Sequence, residues 1–173
     1  MTTTAVLEKL NNHAFDMVKY GETKNAILLA FNAAVVAGMT KLATDCENCY
    51  CCAFAWFVVA MSAIAILISL VALIATIKHT TKEVSIANTA NLLFFATVAQ
   101  MTHENLLAKL KQQYQCTDDN ASYEKDLAQQ AIITSQIAAR KFKLFNWAIG
   151  FTFSGLATPL SIVVYKLFLS KDK

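Results

Sequence analysis

A chain of 173 residues that is 56% hydrophobic and only 16% charged departs from soluble domains, which are about a quarter charged. Four glycines and one proline leave little turn chemistry, so long helices with few tight turns are expected. The formal net charge of +3 is too small to argue for nucleic acid, and the charges lie mostly between apolar blocks, as membrane flanks do.

The opening stretch, MTTTAVLEKLNNHAFDMVKY, lacks an early basic cluster, an apolar core and a small-residue cleavage site. It reads as neither a signal peptide nor a transit peptide, and residues 1–23 are expected to form an amphipathic helix. Asn25 to Thr40 then runs uncharged between Lys24 and Lys41. Roughly 16 residues reach only about 24 Å, so the flanking lysines would snorkel, and 24–43 is assigned as the first span. From Asn48 to Ile77 there is again no charge. About 27 helical residues cover roughly 40 Å, more than the ~30 Å hydrocarbon core. Tyr50 and Trp56 anchor one end and Lys78 with His79 the other, which makes 50–77 the second span.

Residues 78–143 form a hydrophilic helical region. Within it, Val84 to His103 is uncharged but carries Ser85, Asn88, Thr89, Asn91, Thr97, Gln100 and Thr102. That polarity favours a buried or interfacial helix, with a re-entrant or fourth spanning segment as the alternative. Glu104 to Lys143 reads as a helical hairpin broken at Cys116–Asn120, with Asp118 and Asp119 capping the second helix. Residues 78–143 hold eight of the fifteen basic side chains, so the positive-inside rule puts them in the cytoplasm and the loop 42–49 outside. Leu144 to Tyr165 is uncharged between Lys143 and Lys166, with Trp147 and Tyr165 at its ends and Pro159 inside, and 144–169 is the third span. The expected fold is an all-α, multi-pass membrane protein: three transmembrane helices and a cytoplasmic helical hairpin in one domain, 1–173.

Small residues form seams in each span. Ala55, Ser62, Ala65, Ser69, Ala72 and Thr76 follow steps of mainly three and four; Ala30, Ala34 and Gly38 follow steps of four; Gly150, Ser154, Ala157 and Ser161 repeat the idea. Such seams let helices approach closely, either inside one bundle or at a subunit interface. Asn32, near the middle of its span, requires a hydrogen-bond partner.

CENCYCC gathers Cys46, Cys49, Cys51 and Cys52, with Cys116 elsewhere. Disulfides or simple apolar packing are the ordinary readings; thiolate ligation of zinc or copper(I) is the sharper one, although no histidine is nearby. No phosphate-binding glycine loop, H-E-x-x-H, G-x-S-x-G or carboxylate pair within a span is present, so an enzyme has little to stand on.

Gln129, Gln136, Arg140 and Lys143 are separated by seven, four and three residues and share one helix face. Amides read a base edge and Arg grips a phosphate bidentately. Glu22, Lys24 and Asn25, at the start of the first span, are on the same side of the membrane and complete a candidate interhelical ligand site. The plainer alternatives are topology signals that meet lipid headgroups, and an internal pair of Glu22 with Arg140 or Lys141.

Several stretches carry a resemblance. GETKNAILLAFNAA (21–34) is similar to the acidic-Thr-Lys entry to the first span of the Pycsar effector transmembrane family, with Asn25 replacing a usual small residue. YEKDLAQQAIITSQIAARKFKLFNWA (123–148) resembles that family's helix leading into the last span. NLLFFATVAQMT (91–102) is similar to an intervening aromatic segment, with Ala96 and Thr97 where Gly and Asp are expected. The resemblance implies a homo-oligomeric anti-phage effector of the bacterial inner membrane. A cyclic pyrimidine mononucleotide, cyclic CMP or cyclic UMP, made by a partner cyclase would trigger it to impair the membrane and abort infection. No enzymatic cofactor is implied. The rivals are an ungated membrane scaffold and a metal or redox protein built on Cys46, Cys49, Cys51 and Cys52.

Overall fold

The computed structural model describes residues 2–45, 49–74, 91–117 and 120–171, with the side chains of Cys49 and of residues 159–171 left aside. The described chain runs through five helices: α1 (Thr3–Asp45), α2 (Cys49–Leu73), α3 (Phe95–Val98), α4 (His103–Tyr114) and α5 (Ala121–Lys171). Two compact units emerge. Unit 1 comprises Met1–Thr23 with Ala75–Phe142, and unit 2 comprises Lys24–Ile74 with Lys143–Lys173. The all-helical expectation holds. The segment expected to be an amphipathic helix followed by a span is one continuous 43-residue helix.

The physical reason lies in the stripe that α1 buries. Leu7, Ala14, Gly21 and Leu28 recur at sevens, with Thr3, Leu10, Asn25 and Asn32 also buried at heptad-like offsets. What changes along α1 is the outward face. Glu8, Lys9, Asn12, His13, Asp16 and Lys19 are exposed before Lys24, whereas Ile27, Phe31 and Leu42 are exposed after it. Helix formation is indifferent to that change, so the helix continues through it.

In unit 1, α1 and α5 run parallel. Thr3 donates its backbone N–H to the Thr117 carbonyl (3.2 Å) just before α5, and Glu22 meets Lys141 about five turns further along. Val6, Leu7 and Leu10 of α1 pack with Leu92, Val98 and Met101, with Leu106 and Leu110 of α4, and with Leu127, Ala128, Ala131 and Ile132 of α5. The Thr102 hydroxyl caps α4 by accepting from the Asn105 N–H (3.3 Å), and Gln115 closes that helix in a left-handed conformation (φ 49°). The break expected at Cys116–Asn120 is real. The Asn120 side chain accepts from the Tyr123 N–H (3.3 Å) and so caps α5, the role expected of Asp118 and Asp119, which lie outside the described residues.

The polar segment Val84–His103 is described from Asn91 onward. There it makes a turn and the four-residue α3 in place of the long helix expected, with Leu92, Val98 and Met101 buried in unit 1 and Leu93, Phe94 and Gln100 exposed. Residues 84–90, and Thr76 with Ile77 at the end of the second span, lie outside the described residues.

In unit 2, Leu28 of α1, Ala65 of α2 and Ala148 of α5 form a shared core, supported by Ile68, Phe145, Ile149 and Phe151. The short connection after Asp45 returns the chain as α2, and the Cys52 thiol meets the Ala43 carbonyl at 3.4 Å. At Gly155 of α5 a Cβ would lie 3.0 Å from Met61 Cβ and 3.9 Å from Val58 Cα, so the glycine permits a close α2–α5 approach.

Candidate functional site

Unit 2 has an inverted surface. Its buried face is made mostly of small and polar groups, with Leu28 and Val58 beside them: Ala55, Ser62, Ala65, Ser69 and Ala72 of α2 are all inside, together with Asn25, Asn32 and Thr152. Its outer face is apolar and bulky. Ile27, Leu67 and Phe153 are 65%, 62% and 64% exposed, and Trp56 and Trp147 are also exposed. Water would make this arrangement costly, because exposed apolar area of this extent marks an interaction surface, whereas lipid makes it ordinary. Both α1 and α2 are long and apolar enough to cross a bilayer.

The small-residue seams separate on the same criterion. The α2 seam is internal packing. Ala30, Ala34 and Gly38 of α1, and Gly150, Ser154 and Ala157 of α5, are exposed, and a Cβ on Gly38 or Gly150 would meet nothing within 4 Å. Thr76 and the Ser161 side chain lie outside the description.

Asn32 finds the partner that its position requires. The Thr152 hydroxyl donates to Asn32 Oδ1 (3.1 Å), and Asn32 Nδ2 donates to the Leu28 carbonyl (2.9 Å). The pair ties α1 to α5 inside an apolar unit, where interhelical hydrogen bonds act as glue. No periodicity in the sequence singles out Thr152 as that partner.

The residues read as a candidate ligand site are divided between the units. Gln129, Gln136, Arg140 and Glu22 belong to unit 1; Lys24, Asn25 and Lys143 belong to unit 2. In unit 1 the Gln136 amide donates to the Ala99 carbonyl (3.1 Å), which turns this face of α5 toward the 91–101 segment. Arg140 follows one turn later and is partly exposed, as is Gln129. Glu22 pairs with Lys141 at 3.0 Å, so of the two internal pairings weighed from sequence the structure contains the lysine.

A row of aromatic rings that the sequence reading did not single out lies in the same unit. Tyr20 meets Phe142 (6.1 Å between centroids), Phe142 meets Phe95 (5.5 Å), and Phe95 meets Phe94 (5.1 Å). Tyr20 and Phe94, the ends of the row, are exposed. In unit 2, Asn25 is fully buried, Lys24 Nζ sits 5.4 Å from the Phe145 ring centroid, and Lys143 is exposed.

For the metal alternative, Cys51 is exposed and Cys52 partly buried, while the side chains of Cys46 and Cys49 lie outside the described residues. Among the described residues, no three His, Cys, Asp or Glu side chains converge as metal ligands would.

Residues 6–168 match the Pycsar effector protein domain. The chain is also similar to the Pycsar effector protein RsPycTM of a Rhizobium species, with 29% identity over 147 residues that cover 79% of this chain and 82% of the relative. No solved structure matches. The family match spans both units and all five helices, so this membrane protein belongs to the Pycsar effector family of antiviral defence.

Proposed function

We propose that the protein is a non-enzymatic effector of the bacterial inner membrane, triggered by cyclic CMP or cyclic UMP from a partner cyclase to impair membrane integrity and abort phage infection. The observation that carries this reading is the inverted surface of unit 2 in a chain of this family whose unit 1 keeps a charged outer face. Three spans fit best: α1 and α5 crossing in one direction and α2 returning, with unit 1 in the cytoplasm. Parallel α1 and α5, joined by Asn32 and Thr152, support that parity.

In this reading Arg140 grips the phosphate, Gln129 and Gln136 read the base edge, and Tyr20 or Phe94 offers a ring for stacking. Among the described residues neither Arg140 nor Gln129 has a hydrogen bond or ion pair that would compete. In this reading α1 and α5, which each contribute residues to both units, carry the signal. The ligand acts only through tighter binding to the active arrangement than to the resting one. The exposed seam of α1, Ala30, Ala34 and Gly38, is the surface on which copies would assemble into a homo-oligomer.

The test is membrane potential in bacteria expressing the chain, with cyclic CMP and cyclic UMP supplied separately. Depolarisation that requires one nucleotide is expected. An unchanged potential with both nucleotides, in cells whose membranes contain the protein, would instead support the ungated scaffold.

A further inference from the structure

Unit 2 carries an open groove of about 520 Å³ along one face of α5, lined by Lys143, Asn146, Trp147, Gly150, Phe151 and Ser154. From Lys143 to Ser154 the helix rises roughly 16 Å, close to half of the ~30 Å hydrocarbon core and so to the depth of one leaflet. The groove is amphipathic along that length. At one end stand an ammonium, an amide and an indole N–H; further in, Gly150 leaves a floor without a side chain beside the Phe151 ring. Among the described residues Lys143, Asn146 and Trp147 have no hydrogen bond or ion pair of their own.

The geometry points to a built site for one anionic phospholipid. Lys143 and Asn146 would take the phosphate, Trp147 would hold the interface, and an acyl chain would lie over Gly150 along α5. Charge favours this occupant over a helix from a second copy. The one acid among the described residues of unit 2 is Asp45, at the far end of α1. Copies sharing a membrane orientation would therefore bring cations of like depth, Lys24 and Lys143, against Lys143, and like-charge juxtaposition is unfavourable. A lipid phosphate supplies the missing negative charge. The inference rests on α5 entering the membrane, as the proposed function requires.

The test uses the full chain with Trp56→Phe, which leaves Trp147 as the reporter because the sequence has two tryptophans. The protein is reconstituted in phosphatidylcholine vesicles containing a minor fraction of either brominated phosphatidylcholine or brominated phosphatidylglycerol. Trp147 quenching should show an apparent affinity about fivefold higher for phosphatidylglycerol, the contribution of one lysine near the surface. Lys143→Gln should remove that preference. Gly150→Leu should lower quenching by both lipids while leaving the fold intact, since a side chain there meets no neighbour within 4 Å. Equal quenching by the two lipids in the parent overturns the site but leaves α5 in the membrane. Efficient cross-linking of Ser154→Cys copies, with quenching that falls as the protein-to-lipid ratio rises, would assign the groove to a second copy and also overturn it. Absence of quenching by either lipid overturns both the site and the placement of α5.

Discussion

Gly155→Leu is expected to lower the midpoint of thermal unfolding in mild detergent by up to roughly 10 °C. Even a Cβ at this buried position would lie 3.0 Å from Met61 Cβ on α2, tighter than ordinary carbon contacts, and a leucine adds three further carbons in the same direction. Overpacking of this kind costs about 1–3 kcal/mol, and each kcal/mol shifts a protein of this length by roughly 2–4 °C. The gain in helix propensity from replacing glycine, ~0.5–1 kcal/mol, offsets only part of it. Gly150→Leu supplies the control, because nothing stands within 4 Å of that position. That variant should unfold at or slightly above the parent midpoint. Equal losses at both glycines would mean that the α2–α5 approach is not what Gly155 serves.

The second large effect is an asymmetry within the Glu22–Lys141 pair. Lys141 is 4% exposed and Glu22 is 48% exposed, with Nζ and Oε1 3.0 Å apart. Removing the acid withdraws the counter-charge from a buried ammonium, whereas removing the ammonium leaves a carboxylate that already reaches water. Glu22→Ala is therefore expected to destabilise by about 1–2 kcal/mol, toward the low end because half of the acid is solvated. Lys141→Met keeps the aliphatic stem packed beside Gly21, whose missing Cβ would lie 3.4 Å from Lys141 Cβ, and should cost close to nothing. The double variant should resemble Lys141→Met. Thermal unfolding of the three proteins checks the order, and a larger loss from Lys141→Met than from Glu22→Ala would contradict it.

Much of the fold is legible in the sequence because lipid and water impose opposite outward faces. The uncharged runs mark α2 and the membrane-facing part of α1, and TDDN marks the break between α4 and α5. The continuity of α1 is less legible: its outward face changes from polar to apolar near Lys24, while the buried stripe, with Gly21 against Lys141 and Phe142 of α5, runs through. Heptad offsets at Leu7, Ala14, Gly21 and Leu28 carry that signal, and it is visible only when both halves are read as one helix.

The candidate site is harder to read for a geometric reason. Arg140 and Lys141 are neighbours, yet consecutive residues point about a quarter-turn apart on a helix, and only knowledge of which face of α5 meets α1 decides which one takes Glu22. The same holds for Thr152 as the partner of Asn32. The aromatic row of Tyr20, Phe142, Phe95 and Phe94 draws on three separate stretches of chain, so no local motif announces it. Small-residue seams look alike in sequence; burial alone separates the internal one on α2 from the exposed ones on α1 and α5.

Under the proposed function this single chain both senses a cyclic pyrimidine mononucleotide and breaches a membrane. The most direct measurement is release of a trapped dye from vesicles containing only the purified protein, on addition of cyclic CMP or cyclic UMP. Release that needs one of the two nucleotides, and that falls at least about tenfold in apparent nucleotide affinity with Arg140→Ala, is the expected result for a charge-assisted phosphate contact. Release that is the same with and without nucleotide, or none with either nucleotide in vesicles that retain the folded protein, would contradict it.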